Sequence, residues 1–111
     1  MIKVSGQITT DHYKTILSNA KHELIADEPN SSGGADLGFS PSELLCSALA
    51  SCTCITLRMY VDRKKWDLEK IEVHVEMAKD AAQNNTNIQR QIKLFGNLTD
   101  EQKKHLMEIA E

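Results

Sequence analysis

Residues 40–63 read SPSELLCSALASCTCITLRMYVDR, and this stretch decides the fold. Ser40 is suited to cap a helix and Pro41 is preset for its first turn. Glu43 stands three residues after Ser40, the spacing at which the two side chains complete a capping box. The pattern predicts a helix from there to about Arg63. Between Leu44 and Leu57 the residues are Leu, Ala, Cys, Ser, Thr and Ile, with no charge on any face, so this helix is expected to be buried all round. A few short strands do not cover every face of such a helix, whereas a sheet on one side and a second copy of the helix on the other do. Small residues at Ser47, Ala48, Ala50 and Ser51 permit the close approach. The expected architecture is an α+β fold, antiparallel sheets packed around a long buried central helix, in an intertwined homodimer.

Upstream, Ile2, Val4 and Ile8 alternate with Lys3, Ser5 and Gln7, and two further runs, Tyr13 to Ser18 and His22 to Asp27, have strand character. Asp11 and Asn19-Ala20 supply turns, so a hairpin meander is the simplest account. The run DEPNSSGGADLGF from Asp27 to Phe39 is loop by composition. Its Gly33-Gly34 pair lacks the following Lys-Ser/Thr of a phosphate loop, so a plain connection is favoured over anion binding. Downstream, Ile71, Val73, Val75 and Met77 alternate with Glu72, His74 and Glu76, a half-buried strand. Polar DAAQNNTN follows as the connection, and Ile88 to Phe95 as the partner strand. Thr99 and Gln102 open a last helix at capping-box spacing, with Leu106, Ile109 and Ala110 on one face. That helix stops at Glu111 without a Gly or Pro terminator, which points to a natural chain longer than this one.

The chain has 111 residues, enough for a single domain over 1–111 and too short for two. It has one Trp, two Tyr and two Phe, so the core is aliphatic and small, and burying more surface in a dimer would add stability. The net charge of −3 arises from acids and bases interspersed along the chain. No basic stripe follows a phosphate backbone, and nucleic acid is excluded as an expected partner. The apolar stretches around Leu44 to Leu49 and Ile71 to Met77 are interrupted by polar residues, and the N-terminus lacks the segments of a signal peptide. The expectation is a cytoplasmic protein with no membrane partner. Three cysteines within nine positions do not form the framework of a small secreted protein, so reduced thiols are expected.

Cys52 has Leu45, Ala48, Leu49, Ile55, Thr56 and Met59 as its helical neighbours. An apolar setting disfavours a thiolate, and Cys52 is too far along for the helix macrodipole to help, so another element has to bring a cation or donor. Lys14, Lys21 and His22 on the early strands and Arg90 on a late one are the candidates, and spacing singles out none. Glu43 is nine residues before Cys52, about a half-turn round the helix and some 13 Å along it. Neither Cys46 nor Cys54 reaches disulfide geometry with Cys52 on one helix, and a Cys-x-Cys metal clip fails for the same reason. From residue types alone a buried Cys is more often inert packing than a nucleophile. His74 and His105 fall on polar faces, where solvated surface is the default. A Cys52/His22 pair, as in a thiol hydrolase, has no local motif behind it.

The segment Gly38-Phe39-Ser40-Pro41-Ser42-Glu43-Leu44-Leu45 followed by Ala48-Leu49-Ala50-Ser51-Cys52-Thr53 closely resembles the OsmC/Ohr family of thiol-dependent peroxidases. Thr56-Leu57-Arg58-Met59-Tyr60 and Arg63-Lys64-Lys65-Trp66 strengthen the match. With His22-Glu23, Asp27-Glu28-Pro29 and Gly33-Gly34, the chain resembles the general OsmC-like branch. The resemblance implies two interlocked subunits with long helices at the centre. It implies that Cys52 matches the peroxidatic cysteine, which attacks an organic hydroperoxide and is returned by a thiol reductant, with Glu43 as a helper that orients a cation. It implies no metal and no organic cofactor. Three features depart from the family's peroxidases: no cysteine follows Cys54, the first arginine is Arg58, and Ser42 stands directly after the proline where the family has its acidic residue. The alternative is a non-catalytic module on the same dimeric fold, with an apolar cleft beside Cys52 for a small ligand.

Overall fold

In the computed structural model, which describes residues 1–80 and 82–111, the alternating N-terminal runs form a three-stranded antiparallel meander. Its strands are β1 (Ser5–Ile8), β2 (Thr15–Ser18) and β3 (Glu23–Ala26), in the order β1-β2-β3. The register sets Ile8 opposite Thr15 and Ile16 opposite Ile25. Two strands are shorter than their sequence runs, because side chains intercept backbone donors that would otherwise extend the ladder. The Tyr13 N–H donates to Asp27 Oδ1 at 3.0 Å, and the Lys21 and His22 N–H groups both donate to Asn19 Oδ1.

The loop after β3 contains one 3-10 turn at Asn30–Ser32 and returns to pair Ala26 with Phe39. Gly34 and Gly38 are where the chain passes closest to itself: a Cβ at either would overlap the carbonyl oxygen of Glu28 or of Ile25. Close backbone passage therefore accounts for Gly34. These elements form one compact unit, Met1–Leu45; the second is Cys46–Glu111.

Helix α1 (Pro41–Lys64) starts at the predicted cap and runs through the first part of the second unit. There it is followed by β4 (Leu68–Asp80), β5 (Asn85–Gly96) and α2 (Asp100–Ala110). β4 and β5 make one long antiparallel hairpin whose register pairs Ile71 with Leu94, Val73 with Ile92, Val75 with Arg90 and Met77 with Ile88. The ladder continues to Asp80 opposite Asn85. Half of the polar run expected as a connection, Asp80 and Asn85 to Asn87, is thus strand, since backbone pairing, once set, needs no apolar side chains at an exposed tip. The described turn residues are 82–84, and Ala81 lies outside the described residues.

Leu57 and Val61 of α1, Leu68 of β4 and Leu106 of α2 form the buried cluster, with Ile71, Ile92, Leu94 and Ile109 packed around it. Full burial of a leucine side chain is worth about 1.5–3 kcal/mol, so these few residues hold the second unit together. α2 is started by the predicted capping box: the Gln102 N–H donates to Thr99 Oγ1 and the Thr99 N–H to Gln102 Oε1.

Within one chain the burial of α1 is confined to one stripe, Thr53, Leu57 and Val61. On other faces Leu45, Ile55 and Met59 are 58%, 54% and 62% exposed. By length and composition α1 would also suit a membrane span; its inner stripe instead packs on β4, β5 and α2 as a core helix does.

Candidate active site

The first turn of α1 is fixed by the box read in the sequence. The Glu43 N–H donates to Ser40 Oγ at 3.2 Å, and the Ser40 N–H donates to Glu43 Oε1 at 3.0 Å. The backbone donor of Ser40, and after it the Ser40 hydroxyl, hold the Glu43 carboxyl below the usual carboxylate range against a smaller effect of burial. Glu43 is therefore an ionised helix cap at the end of the first unit.

Cys52 lies on α1 within the second unit and is exposed, whereas Cys46 and Cys54 are half-buried; all three are free thiols. The residues three and seven beyond it, Ile55 and Met59, are also exposed, so an apolar surface runs along the helix from Cys52. An open groove of about 500 Å³ lies on this part of the unit, lined by Cys54, Ile55, Arg58, Met59, Glu69, Lys70 and Ile71. The thiol in its wall is that of Cys54, so the cleft expected beside Cys52 opens two residues further on. Its cations are engaged: Arg58 Nη1 is 3.4 Å from Asp62, and Lys70 Nζ is 3.1 Å from Glu72 and stands over the Phe95 ring at 4.5 Å.

Arg90 occupies an inward position of β5, between Ile88 and Ile92. Its Nη1 donates to Thr53 Oγ1 at 2.9 Å, and its Nη2 donates to the Ala110 carbonyl at the end of α2. Thr53 in turn donates its hydroxyl proton to the Leu49 carbonyl at 2.8 Å. Of the cations considered from sequence, Arg90 is brought to the turn of α1 that holds Cys52. The signal was a charged residue at an inward position of an otherwise apolar alternation.

One other histidine differs from its sequence reading. His105, expected as solvated surface, bonds the Tyr60 hydroxyl through Nε2 at 2.8 Å and lies against the Tyr60 and Trp66 rings, because the polar edge of α2 packs beside the end of α1. His74 is exposed as expected, 3.6 Å from Glu72. His22 lies in the first unit, lining a small recess with Val4, Leu17 and Leu24. Among the described residues no group of three or more His, Cys, Asp and Glu is placed to hold a metal ion.

Sequence reasoning placed Asp27 at the start of the loop and in the family motif but gave its carboxylate no role. Its carboxylate is 2% exposed, and its Oδ1 accepts from the Tyr13 and Glu28 N–H groups and its Oδ2 from that of Leu37. Burial opposes the charge, but the backbone donors of Tyr13, Glu28, Leu37 and Ala35 together outweigh it and hold the carboxyl below the usual range. Asp27 clamps the loop that leads into α1.

A profile of the OsmC-like protein family matches residues 33–111. The comparison with curated protein sequences returned no match. Among solved structures, an OsmC like protein from Mycoplasma pneumoniae superimposes with a TM-score of 0.84 at 15% identity, over 99% of this chain and 79% of the other. A Psychrobacter arcticus 273-4 protein named for osmotic stress induction and a detoxification response gives 0.83 at 22% identity, over 99% and 82%. The organic hydroperoxide resistance protein OhrB of Bacillus subtilis gives 0.64 at 18% identity, over 99% and 82%. At these identities the shared feature is the fold, with α1 as its central helix.

Proposed function

The chain belongs to the OsmC-like protein family, and from that premise we propose that it is a thiol-dependent peroxidase that reduces organic hydroperoxides through Cys52. The observation that supports this most is the exposure of Cys52, alone among the three thiols, on a helix whose adjoining surface is apolar. A nucleophilic thiol needs access, and an organic peroxide needs an apolar wall for its alkyl part.

In this reading the Cys52 thiolate attacks the terminal oxygen of the hydroperoxide and the O–O bond breaks. The alkoxide leaves, takes up a proton and departs as the alcohol, and Cys52 is left as a sulfenic acid. A dithiol then restores it. The first thiol forms a mixed disulfide with release of water, and the second displaces Cys52 as a free thiol. Glu43 is assigned the helper role of orienting a cation, and its ionised state suits that. The working form is a homodimer in the cytoplasm, in which a second copy covers exposed apolar surface such as Leu45 and leaves the wall of Ile55 and Met59 beside Cys52 open to the peroxide.

The second reading is a binding module without catalysis, favoured by the groove beside Cys54, whose apolar wall of Ile55, Met59 and Ile71 suits a small apolar ligand. Consumption of cumene hydroperoxide with a dithiol reductant distinguishes them. The peroxidase reading predicts turnover that Cys52→Ser abolishes and Cys54→Ser leaves within about threefold. A chain that consumes no peroxide with either a monothiol or a dithiol is a binding module.

A further inference from the structure

Arg90 is out of place by the ordinary logic of its strand. On β5 it shares a face with Ile88, Ile92 and Leu94, and Ile92 and Leu94 pack on the core of the second unit. An arginine is always charged, and one set half-buried on an apolar face is normally matched by a carboxylate. Among the described residues no acid pairs with Arg90. Its partners are two neutral oxygens, the Thr53 hydroxyl and the Ala110 carbonyl. The structure thus holds a fixed positive charge, with no acid in ion-pair contact among the described residues, against the turn Leu49–Thr53 of α1, and Cys52 is in that turn.

We propose that Arg90 is the positioning residue that gives the Cys52 site its positive field, so that Cys52 favours negatively charged reaction partners and tolerates negative charge on its own sulfur. This deepens the peroxidase reading and rests on it only for the meaning of the charge. Two features fit the role. The planar guanidinium is held by two hydrogen bonds to two different helices, which fixes where its charge sits. Adjacent residues of a helix are about 100° apart on a cylinder roughly 10 Å across with side chains. A group bonded to Thr53 therefore lies on the order of one helix diameter from the Cys52 sulfur, comparable to the roughly 8–10 Å over which a charge acts in physiological salt, so its field at Cys52 should be felt and should depend on ionic strength. The other role open to Arg90 is purely structural, a clamp on the last carbonyls of α2, and the test has to separate the two.

The measurement is the ratio of the alkylation rates of Cys52 by iodoacetate, an anion, and by iodoacetamide, its neutral counterpart. The Cys52 adduct is followed by mass spectrometry, and the urea-unfolded chain serves as reference. Structural loosening changes both rates together, whereas a lost field changes their ratio. The expected result is a ratio in the folded chain above that of the unfolded one. It should decline as ionic strength rises, fall roughly threefold to tenfold in Arg90→Met, and stay within about twofold in Arg90→Lys, which keeps the charge. A ratio unchanged in a folded Arg90→Met variant would overturn the proposal and leave the structural clamp. Where that variant does not fold, a wild-type ratio that equals the unfolded value and ignores salt overturns it equally. Peroxide turnover enters neither readout, so loss of this inference leaves the peroxidase reading intact, and an inactive protein can still show the field.

Discussion

The two units of this chain are stabilised in opposite ways. In Cys46–Glu111 four aliphatic side chains from two helices and a strand form a buried cluster, and polar groups stay at its margin. In Met1–Leu45 the fully buried residues are Ala26 and the carboxylate of Asp27, with Ile8, Ile16, Leu24, Ile25 and Phe39 left exposed by the chain itself. One unit is organised by apolar burial, the other by hydrogen bonds converging on one acid. The first unit is therefore vulnerable to loss of charge or of backbone donors, the second to cavities.

The largest effect on folding is expected from Leu57→Ala or Leu106→Ala, each of which opens a cavity at a fully buried site and should cost about 2–5 kcal/mol by denaturant unfolding. A loss below about 1 kcal/mol would mean that the second unit is not held by this cluster. Asp27→Asn should act on the first unit instead. It puts an amide donor among backbone donors, and the amides of Tyr13 and Leu37 should exchange faster with solvent while those of β4 and β5 are unchanged. Acid gives the same contrast. Because the folded Asp27 carboxyl lies below its ordinary value near 3.8, its contribution is present above that value and lost as pH falls through the lower folded one. Wild-type loop protection should therefore collapse only in strong acid, and Asp27→Asn should remove that dependence. Uniform protection changes across both units would break the comparison.

Smaller effects sharpen it. Thr99→Ala removes the cap of α2 and should cost about 1 kcal/mol. Tyr60→Phe removes the bond to His105 and should cost roughly 0.5–1.5 kcal/mol, both measured by urea unfolding. Effects of this size on the second unit, beside a several-fold larger one from Leu57→Ala, are what an apolar core with polar margins requires.

How much of this was legible in the sequence follows from the same division. Local chemistry was readable: both capping boxes, the Asn19 turn and the alternation of β4 and β5 are each set by residues within a few positions of one another. The family and its α+β architecture followed from the motif around Cys52. Features that depend on distant partners were less readable. Asp27 reads as the first residue of a polar loop until Tyr13 and Leu37, 14 and 10 residues away, bring their donors to it. Arg90 was one candidate cation among several, because its bond to Thr53 spans 37 residues of chain. The extent of the β4–β5 ladder was underestimated, since polar side chains at its tip hide pairing that the backbone makes. The expected all-round burial of α1 is not found within one chain, which fully buries a single stripe, Thr53, Leu57 and Val61, because the expectation relied on a second copy of the helix to cover the other faces.

The central claim is that Cys52 is the group that takes oxygen from the peroxide. The direct measurement is to add one equivalent of cumene hydroperoxide to the reduced chain, trap sulfenic acid with dimedone, and locate the adduct by mass spectrometry. The account predicts the adduct on Cys52, formed within the dead time of mixing and absent from Cys46 and Cys54. An unmodified Cys52 alongside modified Cys54, or no adduct on any of the three, would contradict it.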